Sequence, residues 1–217
     1  YNQAGTTLSR LYSRAWQKFA ETTSFNVWSL VPSKRRWLVN LYRNFFDHVC
    51  EKHGTKIFVD GLKDLSRIRI FKPFYPESSR LKVLHLTRDP RGYVYSSKKH
   101  LGGTIEEHAK YYVKYHRSII KQCARNSIID YLRFRYEDFA QDPEGVTGKL
   151  LDFLNVEKVS CVQKPNPSKF HLIGNKMLSQ FDGNIKFDEK WRRVLSEAEQ
   201  KKIMTVTKDV ASVFDYK

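Results

Sequence analysis

Only three cysteines, Cys50, Cys123 and Cys161, occur in 217 residues, and no two of them form a Cys-x-x-Cys pair. So few thiols without ligand spacing exclude a disulfide scaffold and speak against a structural zinc site. Acidic residues are scarce too: 23 Asp and Glu stand against 39 Lys and Arg, a net charge of +16 with a pI near 9.7. That imbalance points to an anionic partner, whether nucleic acid, a phosphorylated or sulfated small molecule, an acidic glycan or an anionic membrane; a basic surface kept for solubility is the plainer alternative. No run approaches the ~20 apolar residues of a spanning helix, and the opening YNQAGTTLSRLYSRAW lacks the apolar core of a secretory signal. A chain with no membrane span is expected. Its unpatterned cysteines lean toward a reducing, cytoplasmic setting, although a Golgi or secreted lumenal domain freed of an anchor would share this composition. There is no G-x-x-x-x-G-K-[ST] loop, so ATP hydrolysis is not expected.

What is abundant is aromatic: 14 Phe, 12 Tyr and 4 Trp, too many rings for a low-complexity basic arm. The length suits one domain over residues 1–217. Helical spacing of Leu8, Leu11, Tyr12, Ala15, Trp16 and Phe19 predicts a helix over 7–22, and Ser33 is placed to cap a second core helix carrying Trp37, Leu41, Phe45 and Phe46 to Gly54. KIFVD (56–60), RLKVLHLT (80–87) and SIIDYLRFRY (127–136) read as strands. Thr104 with Glu107, Asp142-Pro143-Glu144 and Ser196 with Glu199 mark three helix starts. Strands separated by helices require crossovers, so the class is α/β with a mainly parallel sheet, and ligands in such sheets gather at the carboxyl ends of the strands.

One stretch combines these features with chemistry. In VLHLTRDPRGYVYSSKK (83–99) an apolar strand delivers Arg88 at its end, Pro90 suits the first turn of a helix, and Ser96 follows two turns later. A guanidinium fork, a hydroxyl and helix N-terminal amides suit an anion; a local Arg-Asp ion pair at a helix cap is the competing reading.

Here the chain resembles the sulfotransferase superfamily, whose members move a sulfuryl group from 3′-phosphoadenosine 5′-phosphosulfate (PAPS) to a hydroxyl or amine. Arg88 and Ser96 match the family's 3′-phosphate motif, and RYEDFAQDPEGVTGKLLDFLNV (135–156) matches its Tyr-Glu-Asp segment, which gives Tyr136 the adenine contact. HLIGNKM (171–177), followed by Asp188 and Trp191, is similar to the C-terminal loop over the nucleotide, with Gly174, Asn175 and Lys176 as phosphate donors. FVDGLKDLSRIRIF (58–71) resembles the segment beside the acceptor, which makes Lys63 the candidate for charge stabilisation and Asp60 a possible base. Gly5, Thr6 and Thr7 suit the end of the 5′-phosphosulfate loop, but Gln3 stands where that loop has its cation. The resemblance therefore implies a P-loop-like three-layer domain whose first strand is missing and whose phosphosulfate loop is truncated or degenerate in this chain. It also implies PAPS as donor, adenosine 3′,5′-bisphosphate as product and no metal.

Each residue has a plainer reading. Thr6 and Thr7 suit a helix cap, Asp60 an N-cap, Lys63 a solvated helix, Tyr136 core packing, and residues 174–176 a solvent loop. His85 reads as a core histidine, whereas His100, His108 and His116 fall where a helix can face an acceptor. The acceptor, a small molecule or carbohydrate by expectation, has no motif. The alternative function is a basic nucleic-acid-binding module without catalytic activity, against which the core spacing of the rings and the lack of RNP, KH or zinc-finger patterns both argue.

Overall fold

The computed structural model describes residues 32–61, 68, 81–125, 129–157, 185 and 187–217. Its contacts divide the chain into two compact units, Tyr1–Leu81 and Lys82–Lys217.

In the first unit, α1 (Pro32–His53) begins at a proline, whose fixed φ suits a first helical position, so Ser33 lies inside the first turn rather than ahead of it. Gly54, at φ 60°, ends the helix in the left-handed region while the Thr55 N–H donates to the Cys50 carbonyl at 2.8 Å. Phe46 stacks on Phe58 with centroids 4.1 Å apart, yet Leu41 and Phe45 stay 51% and 55% exposed, so the expected core face is only half covered. KIFVD is not a strand: it runs irregularly, with Val59 72% exposed. β-branched residues favour extended backbone, but a strand is stable only when a neighbour takes up its N–H and C=O groups. The helix expected over 7–22 lies outside the described residues.

The second unit follows its sequence signals closely. β1 (Leu81–Thr87) and β2 (Ile129–Arg135) form a two-stranded sheet. His85 meets Tyr131, and two residues on Thr87 meets the Phe134 carbonyl, so the strands run in the same direction. Parallel pairing demands a crossover, supplied by α2 (Pro90–Leu101) and α3 (Ile105–Ala124). Gly102 and Gly103, at φ 72° and 81°, make the turn between them. Thr104 and Glu107 then form the expected capping box. After β2 come α4 (Tyr136–Gln141), α5 (Pro143–Leu154) capped by Asp142, α6 (Trp191–Val194) and α7 (Glu197–Val213) with its Ser196–Glu199 box.

α7 packs on both α2 and α3. One buried cluster joins Val94, Ala109, Trp191, Leu195 and Ile203; a second joins Tyr112, Val210, Ala211, Phe214 and Tyr216; Tyr93 touches both. The α/β class expected from sequence holds, with a sheet of two strands among the described residues. Inside it, His85 and His116 share a 2.7 Å hydrogen bond and both lie edge-on to Phe214. His116 is thus turned into the core, not toward an acceptor: its position on α3 places it on the apolar stripe with Tyr112 and Ile119.

Candidate anion site at the strand tips

The four residues Arg88-Asp89-Pro90-Arg91 divide their work. Asp89 is buried and caps α2: its Oδ1 accepts the Arg91 backbone N–H at 2.8 Å and the Arg91 Nε at 2.9 Å, while its Oδ2 accepts Nη2 at 2.7 Å. The Arg91 guanidinium also lies 4.5 Å from the Trp191 ring and donates to the Lys217 carbonyl at 2.8 Å. A local ion pair does form at the helix cap, but Asp89 makes it with Arg91 and not with Arg88.

The tip of β1 is held from both sides. Tyr112 donates its hydroxyl to the Arg88 carbonyl at 2.9 Å, and the Asp89 N–H donates to Glu137 Oε1 at 2.9 Å. Tyr216 donates to the other oxygen of Glu137 at 2.7 Å. Burial, reinforced by the surrounding acidic and phenolic groups, raises the Tyr112 phenol; burial and the Glu137 hydrogen bond raise that of Tyr216. Both remain protonated donors through the physiological range.

Arg88 is left to face outward. Its side chain is 24% exposed, and among the described residues it donates through Nη2 alone, to Asp188 Oδ2 at 3.2 Å and to the Asp188 carbonyl at 3.3 Å. The guanidinium carbon lies 4.8 Å from the centroid of Tyr136, the first residue of α4. The Tyr136 hydroxyl accepts the Asp188 N–H at 3.2 Å, and Phe187 stacks on the same ring at 6.4 Å. Arg88 and Tyr136 thus come from the carboxyl ends of adjacent parallel strands, where ligands of such sheets sit.

Gly92 fixes which face of α2 meets this cation. A Cβ there would stand 3.1 Å from Arg88 Nε and 3.1 Å from Trp191 Cδ1, so glycine permits the guanidinium to lie against the helix. Ser96 is one helical turn further along the same face, half-buried, and so on the Arg88 side of α2. The structure brings Arg88 and Tyr136 together and sets Ser96 one turn beyond Gly92 on α2. A cavity of about 280 Å³ opens nearby, lined by Asp89, Arg91, Arg135, Glu137, Trp191 and Tyr216 among others, but Arg88 is not in its wall.

Asp60 is exposed in the first unit. Gly5, Thr6, Thr7, Lys63, Gly174, Asn175 and Lys176 lie outside the described residues. His100 is exposed, and His108 Nε2 bonds the Gly102 carbonyl at 2.6 Å. Sequence reasoning missed Gly92, Glu137, Tyr112 and Tyr216. Two of them left a signal: Gly92 as a glycine inside a helix one turn from the motif arginine, and Glu137 as the middle residue of the Tyr-Glu-Asp segment. Among the described residues no group of His, Cys, Asp and Glu suits a metal ion, and no helix is long and apolar enough to cross a membrane.

A parallel βαβ unit that presents an arginine and an aromatic ring at its strand tips, beside a serine-bearing helix, is a candidate anion site. Residues 6–160, well over half of the chain, match the model of the Sulfotransferase family, and the chain belongs to that family. Among solved structures it is similar to the sulfotransferase domain from the curacin biosynthetic pathway, with a TM-score of 0.51 and 17% identity over 71% of this chain. The match spans 59% of that domain and supports the fold. No curated protein sequence matches.

Proposed function

We propose that the protein transfers a sulfuryl group from PAPS to a hydroxyl or amine of a small-molecule or carbohydrate acceptor. The observation that carries this is Arg88: one guanidinium at a strand tip, flanked by the Tyr136 ring and by the Gly92–Ser96 face of α2, while its neighbour Arg91 is consumed by Asp89. The donor set fits the nucleotide end of PAPS. Arg88 and Ser96 would hold the 3′-phosphate, and Tyr136 would present its face to the adenine. The close approach that Gly92 permits keeps the cation oriented without a side chain in between.

Bound PAPS would supply the sulfuryl group. What the protein must contribute is placement of the acceptor, removal of its proton and positive charge beside the departing phosphate. The roles that family resemblance gives Asp60 as base and Lys63 as charge stabiliser, and to Gly5, Thr6, Thr7, Gly174, Asn175 and Lys176 as phosphate contacts, belong to this proposal and rest on the sequence alone.

Calorimetric titration with adenosine 3′,5′-bisphosphate tests the reading. The wild-type protein should bind at micromolar strength or better. Arg88→Ala should weaken binding at least about tenfold, the scale of losing a charge-assisted hydrogen bond of ~1.5–3 kcal/mol. No heat with the bisphosphate, together with oligonucleotide binding that falls steeply with salt, would reverse the choice in favour of a nucleic-acid module.

A further inference from the structure

We propose that Asp188 is an internal counter-ion that occupies the anion position on Arg88 and must yield it when a nucleotide phosphate binds; this rests on the donor-binding reading above. Asp188 does not drift near the arginine by chance of a long side chain. Its backbone carbonyl and its Oδ2 accept from the same Nη2, at 3.3 and 3.2 Å, and its N–H donates to the Tyr136 hydroxyl at 3.2 Å. Oδ1 accepts the Lys190 N–H at 3.2 Å, which turns the carboxylate back toward the strand tips. Phe187, the preceding residue, stacks on Tyr136. Asp188 is thus seated on the two residues assigned to the ligand, one by charge and one by hydrogen bond.

A carboxylate and a phosphate present the same kind of oxygen to a guanidinium, and the phosphate offers more charge and a third acceptor. The two compete for one cation. The neighbouring Arg91 cannot serve both, because it is bound to Asp89 through two nitrogens. The pair is partly exposed, with side chains 24% and 36% accessible, so the exchange is between two solvated arrangements of modest difference. The consequence is specific. Asp188 lowers affinity for the 3′-phosphate, keeps Arg88 in place when the site is empty, and returns to the cation as the bisphosphate product leaves.

The test compares the wild-type protein, Asp188→Asn and Arg88→Ala in titrations with adenosine 3′,5′-bisphosphate and with adenosine 5′-monophosphate, which lacks the 3′ group. Asparagine keeps the size and an Oδ1 acceptor for Lys190 while removing the charge; Asp188→Ala serves if the first variant does not fold. Tightening of the bisphosphate by about two- to fivefold, the worth of an exposed ion pair, with the monophosphate unchanged, supports the counter-ion. Unchanged or weaker binding in Asp188→Asn, while the wild type still binds through Arg88, overturns it and leaves the donor reading intact. Equal tightening of both nucleotides overturns it as well, since that reports net charge alone. Silence from every protein toward the bisphosphate removes the donor reading, and the counter-ion with it.

Discussion

Gly92 is where a single residue decides the geometry of the site. In an open helix, Gly→Ala gains up to about 1 kcal/mol, because alanine loses less backbone freedom on folding. At Gly92 the added methyl would meet Arg88 Nε and the buried Trp191 ring, both at 3.1 Å. The ring cannot withdraw without disturbing Val94, Leu195 and Ile203, so the guanidinium must shift instead. Gly92→Ala should therefore forgo the helix gain in denaturant titrations and weaken bisphosphate binding severalfold. A variant that is ~1 kcal/mol more stable and binds normally would show that the close approach is dispensable. Glu137 acts at the same scale by a different route. One carboxylate accepts both the Asp89 N–H and the Tyr216 hydroxyl, tying the tip of β1 to the C-terminal segment.

Among the elements, α2 and α3 are joined by two left-handed glycines and restarted by a capping box, in which Thr104 Oγ1 accepts the Glu107 N–H at 3.2 Å and Glu107 accepts the Thr104 N–H at 2.8 Å. The hydrogen bonds from the Thr104 backbone and side chain hold the Glu107 carboxyl below its usual range. Thr104→Ala should cost about 1 kcal/mol and lower the melting temperature by about 2–4 °C, read by calorimetry, with nucleotide binding unchanged because the box lies at the far end of α2 from Arg88. An unchanged melting temperature would mean the restart of α3 is fixed by packing on α7 instead. These boundaries were legible beforehand: Thr104 with Glu107, Asp142 before Pro143, and Ser196 with Glu199 all begin helices where local hydrogen-bonding chemistry places them. KIFVD was misread for the complementary reason. A strand's stability depends on a partner that no window of five residues contains.

For the whole second unit, the buried histidine pair links folding to pH. Burial lowers His85 to about 4, with the Arg133 charge adding to it, and burial lowers His116 to about 3, with His85 adding to it. Tyr131 hydrogen-bonds the other side of His85, and Phe214 covers both rings. In the unfolded chain each imidazole titrates near 6.5, so below that pH the unfolded state binds more protons than the folded one. Stability should be full above pH 6.5 and fall as pH drops toward about 4, by up to ~1.4 kcal/mol per pH unit for each histidine. Urea midpoints between pH 7.5 and 5 measure this, and His116→Phe should flatten the slope. A slope identical in that variant would place the titration elsewhere.

The sequence by itself determined the α/β class of the second unit, its helix starts, its basic character and the alignment of Arg88, Ser96 and Tyr136 with a sulfotransferase motif, because each depends on spacing or on chemistry within a few residues. Only the tertiary structure decided which arginine of Arg88-Asp89-Pro90-Arg91 remains available, that His116 faces the core, and that Asp188 rests on Arg88. Those outcomes depend on which side chains reach the same point in space from positions up to 100 residues apart, as the Arg88–Asp188 pair does. Ion pairing and burial are settled there, where charge and desolvation act across distance rather than along the chain.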